Sequence, residues 1–118
     1  MAAGAEFIEF IKDQMSGFGP VSVRRMFGGA GVSFHGVTFA IIVDETLYLK
    51  EDALNAPDFD AESLERFSYA AKGGKRIEMR YRRAPPRLMD DRDEMTLWCR
   101  KSYEAALRAR SKKTPARK

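Results

Sequence analysis

A run of alternating apolar residues interrupted by short turns, residues 30–50, constrains the fold more than any other feature. Ala30, Val32 and Phe34 alternate with small or polar residues, as expected of a β-strand with one buried face. His35-Gly36 follows as a two-residue turn, because Gly accepts a positive φ and His tolerates one better than most residues. The segment therefore predicts an antiparallel meander, in which Val32 faces Phe39.

The next strand, residues 37–43, is apolar on both faces around Ala40-Ile41-Ile42, which predicts a central strand covered on two sides. Its connection to the following strand admits two registers. A three-residue loop, 44–46, would place Leu47 and Leu49 on the face of Ile41 and Val43, whereas a two-residue loop would place them on the opposite face. We prefer the three-residue loop.

The flanking segments complete an α+β chain. An apolar stripe at helical spacing predicts an N-terminal helix over residues 5–16, and Asp91 with Glu94 predicts a capped C-terminal helix over about 92–110. The acidic segment 52–63 is predicted to be a surface connection. The predicted order is a helix, then four to five antiparallel strands, then a second helix. This order is typical of an α+β fold. Further strands are predicted at 21–27, at 67–71 and at the alternating segment 75–83.

Length and charge suggest one domain, residues 1–110, with a basic flexible tail at 111–118. Residues 1–70 carry five basic and eleven acidic side chains, whereas residues 71–118 carry sixteen basic and six acidic ones. Such asymmetry favours an anionic partner for the C-terminal half. The single cysteine and single histidine exclude a disulfide scaffold and a standard zinc site, and the longest apolar run is far too short to span a membrane.

Four groups of residues could carry chemistry, and each has a simpler structural interpretation. The glycines at 28–31 lack the Lys-Ser/Thr pair and the helix of a phosphate loop. Ser33 and His35 share a strand face without a carboxylate to orient them. Cys99 lies on the predicted buried helix face, and the acidic residues 90–94 suit helix capping. We therefore expect no catalytic residue, no metal and no cofactor.

The basic strand is the remaining candidate site. Arg76, Arg80 and Arg82 fall on one strand face predicted to be exposed, about 6–7 Å apart in succession, which is close to the spacing of phosphates along a nucleic acid. Guanidinium groups bind phosphate through paired hydrogen bonds. The competing interpretation, which we favour, is a solvated strand neutralised by Glu78 and nearby acidic loops. The candidate anion or nucleic-acid contacts are Arg76, Arg80, Arg82, Arg83 and Arg87.

Two short motifs with the hairpin between them carry a family resemblance. Arg-Met-Phe-Gly-Gly at 25–29 and Leu-Tyr-Leu-Lys at 47–50 flank a Gly-Val hairpin and a Phe-Ala strand, and a Leu-Trp pair lies in the last helix. Over roughly residues 5–108 the chain resembles the N-terminal domain of the TfoX (Sxy) family. The residues that carry the motifs are Arg25, Met26, Phe27, Gly28, Gly29, Leu47, Tyr48, Leu49 and Lys50.

The resemblance implies a non-enzymatic, cytoplasmic bacterial regulator. The best-known members of the family promote natural competence and act in transcription regulation with the cyclic-AMP receptor protein. They carry a second, helical domain that we do not find here, so we expect a single-domain member. We expect a protein partner, with the transcription machinery as a candidate, no membrane association, and homo-oligomers as an option. A nucleic-acid-binding module that uses the basic strand and tail is the alternative function.

Overall fold

The computed structural model describes residues 4–26 and 28–113, which fold into a six-stranded sheet with helices. The predicted α+β class is confirmed, although the sheet holds more strands than the four or five predicted. In chain order the elements are α1 Ala5–Gln14, β1 Ser22–Met26, β2 Gly29–Phe34, β3 Val37–Val43, β4 Thr46–Lys50, α2 Ala56–Asp60, β5 Arg66–Ala70, β6 Arg76–Arg83 and α3 Arg92–Lys113, with 3₁₀ turns at Lys72–Gly74 and Pro86–Met89.

The helix α3 continues three residues into the segment predicted to be a tail, and residues 114–118 of that tail lie outside the described residues. Asp91 caps α3 as predicted, because its Oδ1 accepts a hydrogen bond from the backbone N–H of Glu94 at 3.0 Å. Among the helices described between residues 4 and 113, none is both long and apolar enough to cross a membrane.

The strands are all antiparallel and lie in the order β1-β2-β3-β4-β6-β5. β3 is central, as predicted. The segment that contains α2 carries the chain past β4, so that β6 returns to pair with β4 and β5 becomes the second edge. Phe59 of α2 is buried, and this segment therefore packs on the molecule more closely than the predicted surface connection would.

The two turns of the meander both use left-handed backbone. His35 and Gly36 form the predicted two-residue turn, with φ of 50° and 78°. The second turn also has two residues, Asp44 and Glu45, so the preferred three-residue loop was wrong. Both residues have a positive φ, of 52° and 57°. Because residues other than glycine rarely adopt this backbone conformation, the sequence does not indicate it.

The two-residue loop sets the register of β4. Leu47 is opposite Ile42 and Leu49 is opposite Ala40, which places both leucines on the face that the helices cover. A register shift after Val32 places that residue opposite Ala40 and not opposite Phe39, contrary to the prediction.

The main core lies between the sheet and the helices α1 and α3, on what we call the helix face of the sheet. Trp98 is only 8% exposed, and its ring centroid lies 5.3 Å from that of Phe59. Its indole N–H donates a hydrogen bond to Glu94 at 3.2 Å, which satisfies its one polar group. Other fully buried side chains of this core are Ile11, Met15, Val32, Phe39, Ile42, Leu49, Leu88, Met95 and Cys99.

Candidate functional site

The basic strand does not present its arginines to solvent along its whole length, which corrects the prediction. Alternation along β6 places Arg82 on the helix face, opposite Leu49, where the segment before β5 covers it. Arg82 is 6% exposed. Its Nε donates to the carbonyl of Leu64 at 2.8 Å and its Nη2 to Asp60 at 2.9 Å. The sequence therefore predicted correctly which residues of β6 share a face. At the Arg82 end of the strand, however, the segment before β5 covers that face.

A buried carboxylate organises this end of the strand. Glu51 is 1% exposed, and its oxygens accept hydrogen bonds from Arg66 at 2.9 and 3.0 Å and from Arg82 at 2.7 Å. Arg80 lies 3.5 Å away. Burial alone would raise the pKa of Glu51, but the hydrogen bonds from Arg66 and Arg82 hold it below its usual value. We call Glu51, Arg66, Arg80 and Arg82 the Glu51 cluster.

The remaining candidate arginines also bind partners within the chain. Arg87 holds Glu62 through two hydrogen bonds of 2.7 and 2.9 Å and contacts Glu94 at 3.2 Å. The Arg83 guanidinium lies 3.9 Å from the Glu65 carboxylate, and Arg76 donates to the Ser68 hydroxyl at 2.8 Å. Each of the five arginines therefore has an intramolecular partner, which is a carboxylate for all of them except Arg76.

The opposite side of the sheet, which we call the open face, carries an apolar cavity of about 610 Å³. Three large apolar side chains that line it are exposed to solvent: Met26 at 46%, Tyr69 at 45% and Met79 at 38%. Residues of the described helices do not line it. We call it the open-face cavity, and its lining is Met26, Gly28, Gly29, Ala30, Ile41, Val43, Phe67, Tyr69 and Met79.

The sheet curls to make this cavity. Met26 lies on β1 and Tyr69 on β5, the two edges of the sheet. In a flat six-stranded sheet those edges would be about 24 Å apart, too far to line one cavity. Register shifts between β2 and β3 and between β5 and β6 increase the local twist and bend the sheet. Ile41 of the central strand is buried and lines this cavity together with residues of both edges, so on this side no described helix covers the strand.

The first family motif forms one wall of the open-face cavity. Gly28 turns the chain between β1 and β2 at a φ of +60°. A Cβ on Gly29 would collide with the backbone carbonyl oxygen of Ile42, so this position accepts glycine alone without a shift of β3. Arg25 lies on β1 opposite Ala30, and Phe27 is outside the described residues.

The second motif contributes to both faces. Leu47 and Leu49 are buried on the helix face, while the Tyr48 ring packs edge-on against Phe67 on the open face, 5.0 Å between centroids. The Lys50 ammonium lies 5.0 Å from the centre of the Tyr81 ring. Burial raises the pKa of Tyr48 and of Tyr81 above the usual value, so both phenols stay neutral at physiological pH.

The other residues considered for chemistry occupy ordinary structural positions. His35 is at the exposed turn and stacks on Phe34, 4.0 Å between ring centroids. Burial raises the pKa of the Cys99 thiol to about 12, so the thiolate does not form at neutral pH. Within residues 4–26 and 28–113, His, Cys, Asp and Glu side chains nowhere gather in a group of three that could hold a metal ion.

Sequence reasoning missed the open-face cavity, although a signal for it was present. Ile41 and Val43 on one strand and Met79 and Tyr81 on another are apolar on the face opposite the helices, and so is Met26. Only two long helices were predicted, and both were needed for the other face. The apolar residues left over therefore indicated a surface without a helical cover.

Comparison with known proteins agrees with the motifs. The model of the TfoX N-terminal domain matches residues 13–106, which is most of the chain. No match was found among curated proteins. The TfoX N-terminal domain is not a known enzyme family. The chain therefore belongs to the TfoX N-terminal domain family.

Proposed function

We propose that this chain is a non-enzymatic regulatory domain that acts by docking a protein partner on its open face. The observation that carries the proposal is the open-face cavity, with Met26, Tyr69 and Met79 exposed around it. Apolar surface that stays in contact with water, concentrated in one place, is typical of a binding site. Family membership supports a bacterial cytoplasmic setting, with the transcription machinery as a candidate partner.

The lining of the cavity suits a protein ligand. Aromatic residues and methionine are enriched at the centres of protein interfaces, and lysine and glutamate are depleted there. Methionine side chains have three rotatable bonds and a polarisable sulfur, so Met26 and Met79 can adapt to the shape of an entering side chain. On the helix face, by contrast, α1 and α3 pack on the sheet and bury Val32, Ile42 and Leu49.

The nucleic-acid alternative receives less support from the same geometry. Binding to a phosphate backbone depends on cations that are free to replace counterions. Arg82 and Arg87 hold carboxylates of their own chain, at 2.7 Å each for the shortest contact. Breaking these pairs would offset what a phosphate contact contributes, so we do not propose nucleic acid as the principal partner.

Site-specific photo-crosslinking in the native host tests the proposal. A photoreactive phenylalanine analogue replaces Tyr69 at the cavity or, as a control, Leu54, which is 71% exposed on the α2 side. We expect a discrete protein adduct from position 69, reduced about fivefold by the additional change Met79→Asp. Equal adducts from both positions, or no adduct from position 69, would contradict docking at the open face.

A further inference from the structure

We infer that the docking segment of the partner is acidic and amphipathic, with apolar anchor side chains that enter the open-face cavity and carboxylates beside them. The inference deepens the proposed function and rests on it. It derives from the distribution of paired and unpaired cations around the molecule.

Cations that lack an ion-pair partner lie beside the open-face cavity. Arg24 is two residues before Met26 on the same strand, so both side chains lie on the open face. Lys72 and Lys75 flank the tip of the β5–β6 hairpin, whose strands supply Tyr69 and Met79. None of these three forms an ion pair with any described residue. Arg24, Lys72 and Lys75 are all exposed.

The contrast with the rest of the surface is systematic. On the helix side, Arg92 pairs with Asp13 at 2.6 Å, Lys101 with Asp58 at 3.0 Å, and Arg108 with Asp52 at 2.6 Å. Among the other cations whose side chains are described, Arg100 on α3 has no ion-pair partner, and Arg76 on β6 contacts only the neutral Ser68 hydroxyl. Three of the five described cations without a carboxylate partner, Arg24, Lys72 and Lys75, thus lie on the strand and the hairpin that supply Met26, Tyr69 and Met79 to the cavity.

The strand register places one more arginine, Arg83, on the open face. One row across the sheet runs from Arg24 through Gly31, Ile41 and Tyr48 to Arg83, so an arginine stands at each end of an apolar floor. The Arg83 side chain is 49% exposed, and the carboxylate with which it pairs, that of Glu65, is 3.9 Å away. The carboxylates nearest the cavity in sequence, Asp44, Glu78 and Glu65, already interact within the chain.

This charge pattern favours one class of ligand for the open-face cavity over the others. A second copy of the chain would bring the same cations towards one another across the interface, which is unfavourable. A nucleic acid would satisfy the cations but leave the cavity of about 610 Å³ unfilled. A segment with apolar side chains between aspartates or glutamates satisfies the cavity and the cations together, and charge complementarity also speeds the encounter.

Binding of designed peptides to the intact protein tests the inference by fluorescence anisotropy. The acidic probe is a fluorescein-labelled peptide with leucines at positions i, i+3, i+4 and i+7 and glutamates elsewhere, and the basic probe replaces each glutamate with lysine. We expect a Kd on the order of 10 µM for the acidic probe and binding at least about tenfold weaker for the basic probe.

Variants with matched controls locate the binding. Met79→Asp should weaken the acidic probe at least about tenfold, while Leu54→Asp, an equally drastic change at an exposed apolar residue elsewhere, leaves it unchanged. Arg24→Ser should weaken it about threefold, while Arg100→Ser does not. Thermal melts by circular dichroism verify that each variant is folded, and Met79→Ala replaces Met79→Asp if the aspartate unfolds the chain.

Four outcomes would overturn the inference. Equal binding of acidic and basic probes that Met79→Asp abolishes would reject the acidic partner and leave docking at the open face intact. A Kd above about 1 mM for both probes would also reject it, whatever the crosslinking from position 69 shows. Sedimentation that reveals a dimer dissociated by Met79→Asp would assign the face to a second copy. Decanoate that binds more tightly than the acidic probe, with the same dependence on Met79, would assign the cavity to a small amphiphile.

Discussion

The two faces of the sheet are formed by the same strands, but the described helices cover one face and not the other. On the helix face, Val32, Ile42 and Leu49 are fully buried under α1 and α3. On the open face, apolar side chains such as Met26 and Met79 remain exposed around a cavity. Alternation gives a strand two faces, and in this chain α1 and α3 both pack on the same one. The difference separates residues that stabilise the fold from residues available to a partner.

Charge follows the same division. Carboxylates on the helix side neutralise the arginines nearest the core, and Glu51 alone receives hydrogen bonds from both Arg66 and Arg82. Near the open-face cavity, Arg24 and Lys72 have no described carboxylate partner. The arginines of the basic strand therefore mostly contact carboxylates of their own chain, whereas Arg24 and Lys72 do not.

The largest expected effect comes from truncating the core of the helix face. Trp98→Ala should lower the free energy of unfolding by about 3–5 kcal/mol, because it removes the packing between the Trp98 and Phe59 rings and leaves a cavity beside Phe59. Met79→Ala on the open face should lower it by less than about 1 kcal/mol, because that side chain is already partly hydrated. Chemical denaturation of both variants measures the contrast, and similar losses would remove the distinction between the faces.

Removing the charge of Glu51 should have the next largest effect. Glu51→Gln removes the buried carboxylate that Arg66 and Arg82 share and leaves buried Arg82 with Asp60 as its remaining carboxylate, which should reduce the free energy of unfolding by about 3 kcal/mol. Arg80→Gln is the matched control: Arg80 is mostly exposed and lies farther from Glu51, so its loss should be less than about 1 kcal/mol. Denaturant titrations at pH 7 compare the two.

The same cluster predicts a pH dependence. The pKa of Glu51 is lower in the folded chain than in the unfolded chain, so the unfolded chain binds more protons as the pH falls. The stabilisation is fully present above the unfolded pKa of about 4.3 and is lost as the pH falls through the folded value. Stability of the wild type should thus fall more steeply below about pH 4.5 than that of Glu51→Gln, and parallel curves would contradict the assignment.

The motif glycines should differ from each other. Gly29→Ala should lower the free energy of unfolding by about 1–3 kcal/mol, because the methyl group collides with the Ile42 carbonyl oxygen. Gly28→Ala meets open space and should cause a loss of about 1 kcal/mol from its positive φ alone. Thermal unfolding of the two variants ranks them, and a greater loss for Gly28→Ala would place the constraint in the turn and not in the cavity wall.

The smallest effect is expected for nucleic acid. Exchanging Arg76 and Arg80 for glutamine should change the slope of log K against log salt for duplex DNA by less than about 0.5, since both guanidiniums have intramolecular partners. Arg82 is left intact because its loss would destabilise the fold. Binding is measured by anisotropy across salt concentrations, and a decrease of about 2 in the slope would restore the basic strand as a phosphate site.

Short-range patterns predicted most of the elements, and long-range packing decided what they missed. The His35-Gly36 turn, the alternation along β6 and the Asp91 cap each depend on neighbouring residues, and each was predicted correctly. The burial of Arg82 depends on a segment that returns from some twenty residues earlier, and the Asp44-Glu45 turn on two non-glycine residues at positive φ. Such features arise from the tertiary structure, which local periodicity does not encode.

The candidate site shows the same limit more sharply. The family motifs were identified from sequence, but their faces were not, because the wrong loop length exchanged the two sides of β4. The open-face cavity also requires the curl that brings Met26 and Tyr69 to one place from opposite edges. No pattern within a single strand reports the distance between the edges of a sheet.

The methionines of the chain allow the most direct test of the central claim, that one face holds the fold together and the other receives a partner. Met15 and Met95 are fully buried on the helix face, and Met26 and Met79 are exposed on the open face. With ¹³C-methyl-labelled methionine, titration with the acidic leucine probe should shift the NMR signals of Met26 and Met79 and leave those of Met15 and Met95 in place. Open-face signals that stay unchanged at saturating probe, or equal shifts for all four methyl groups, would contradict the account.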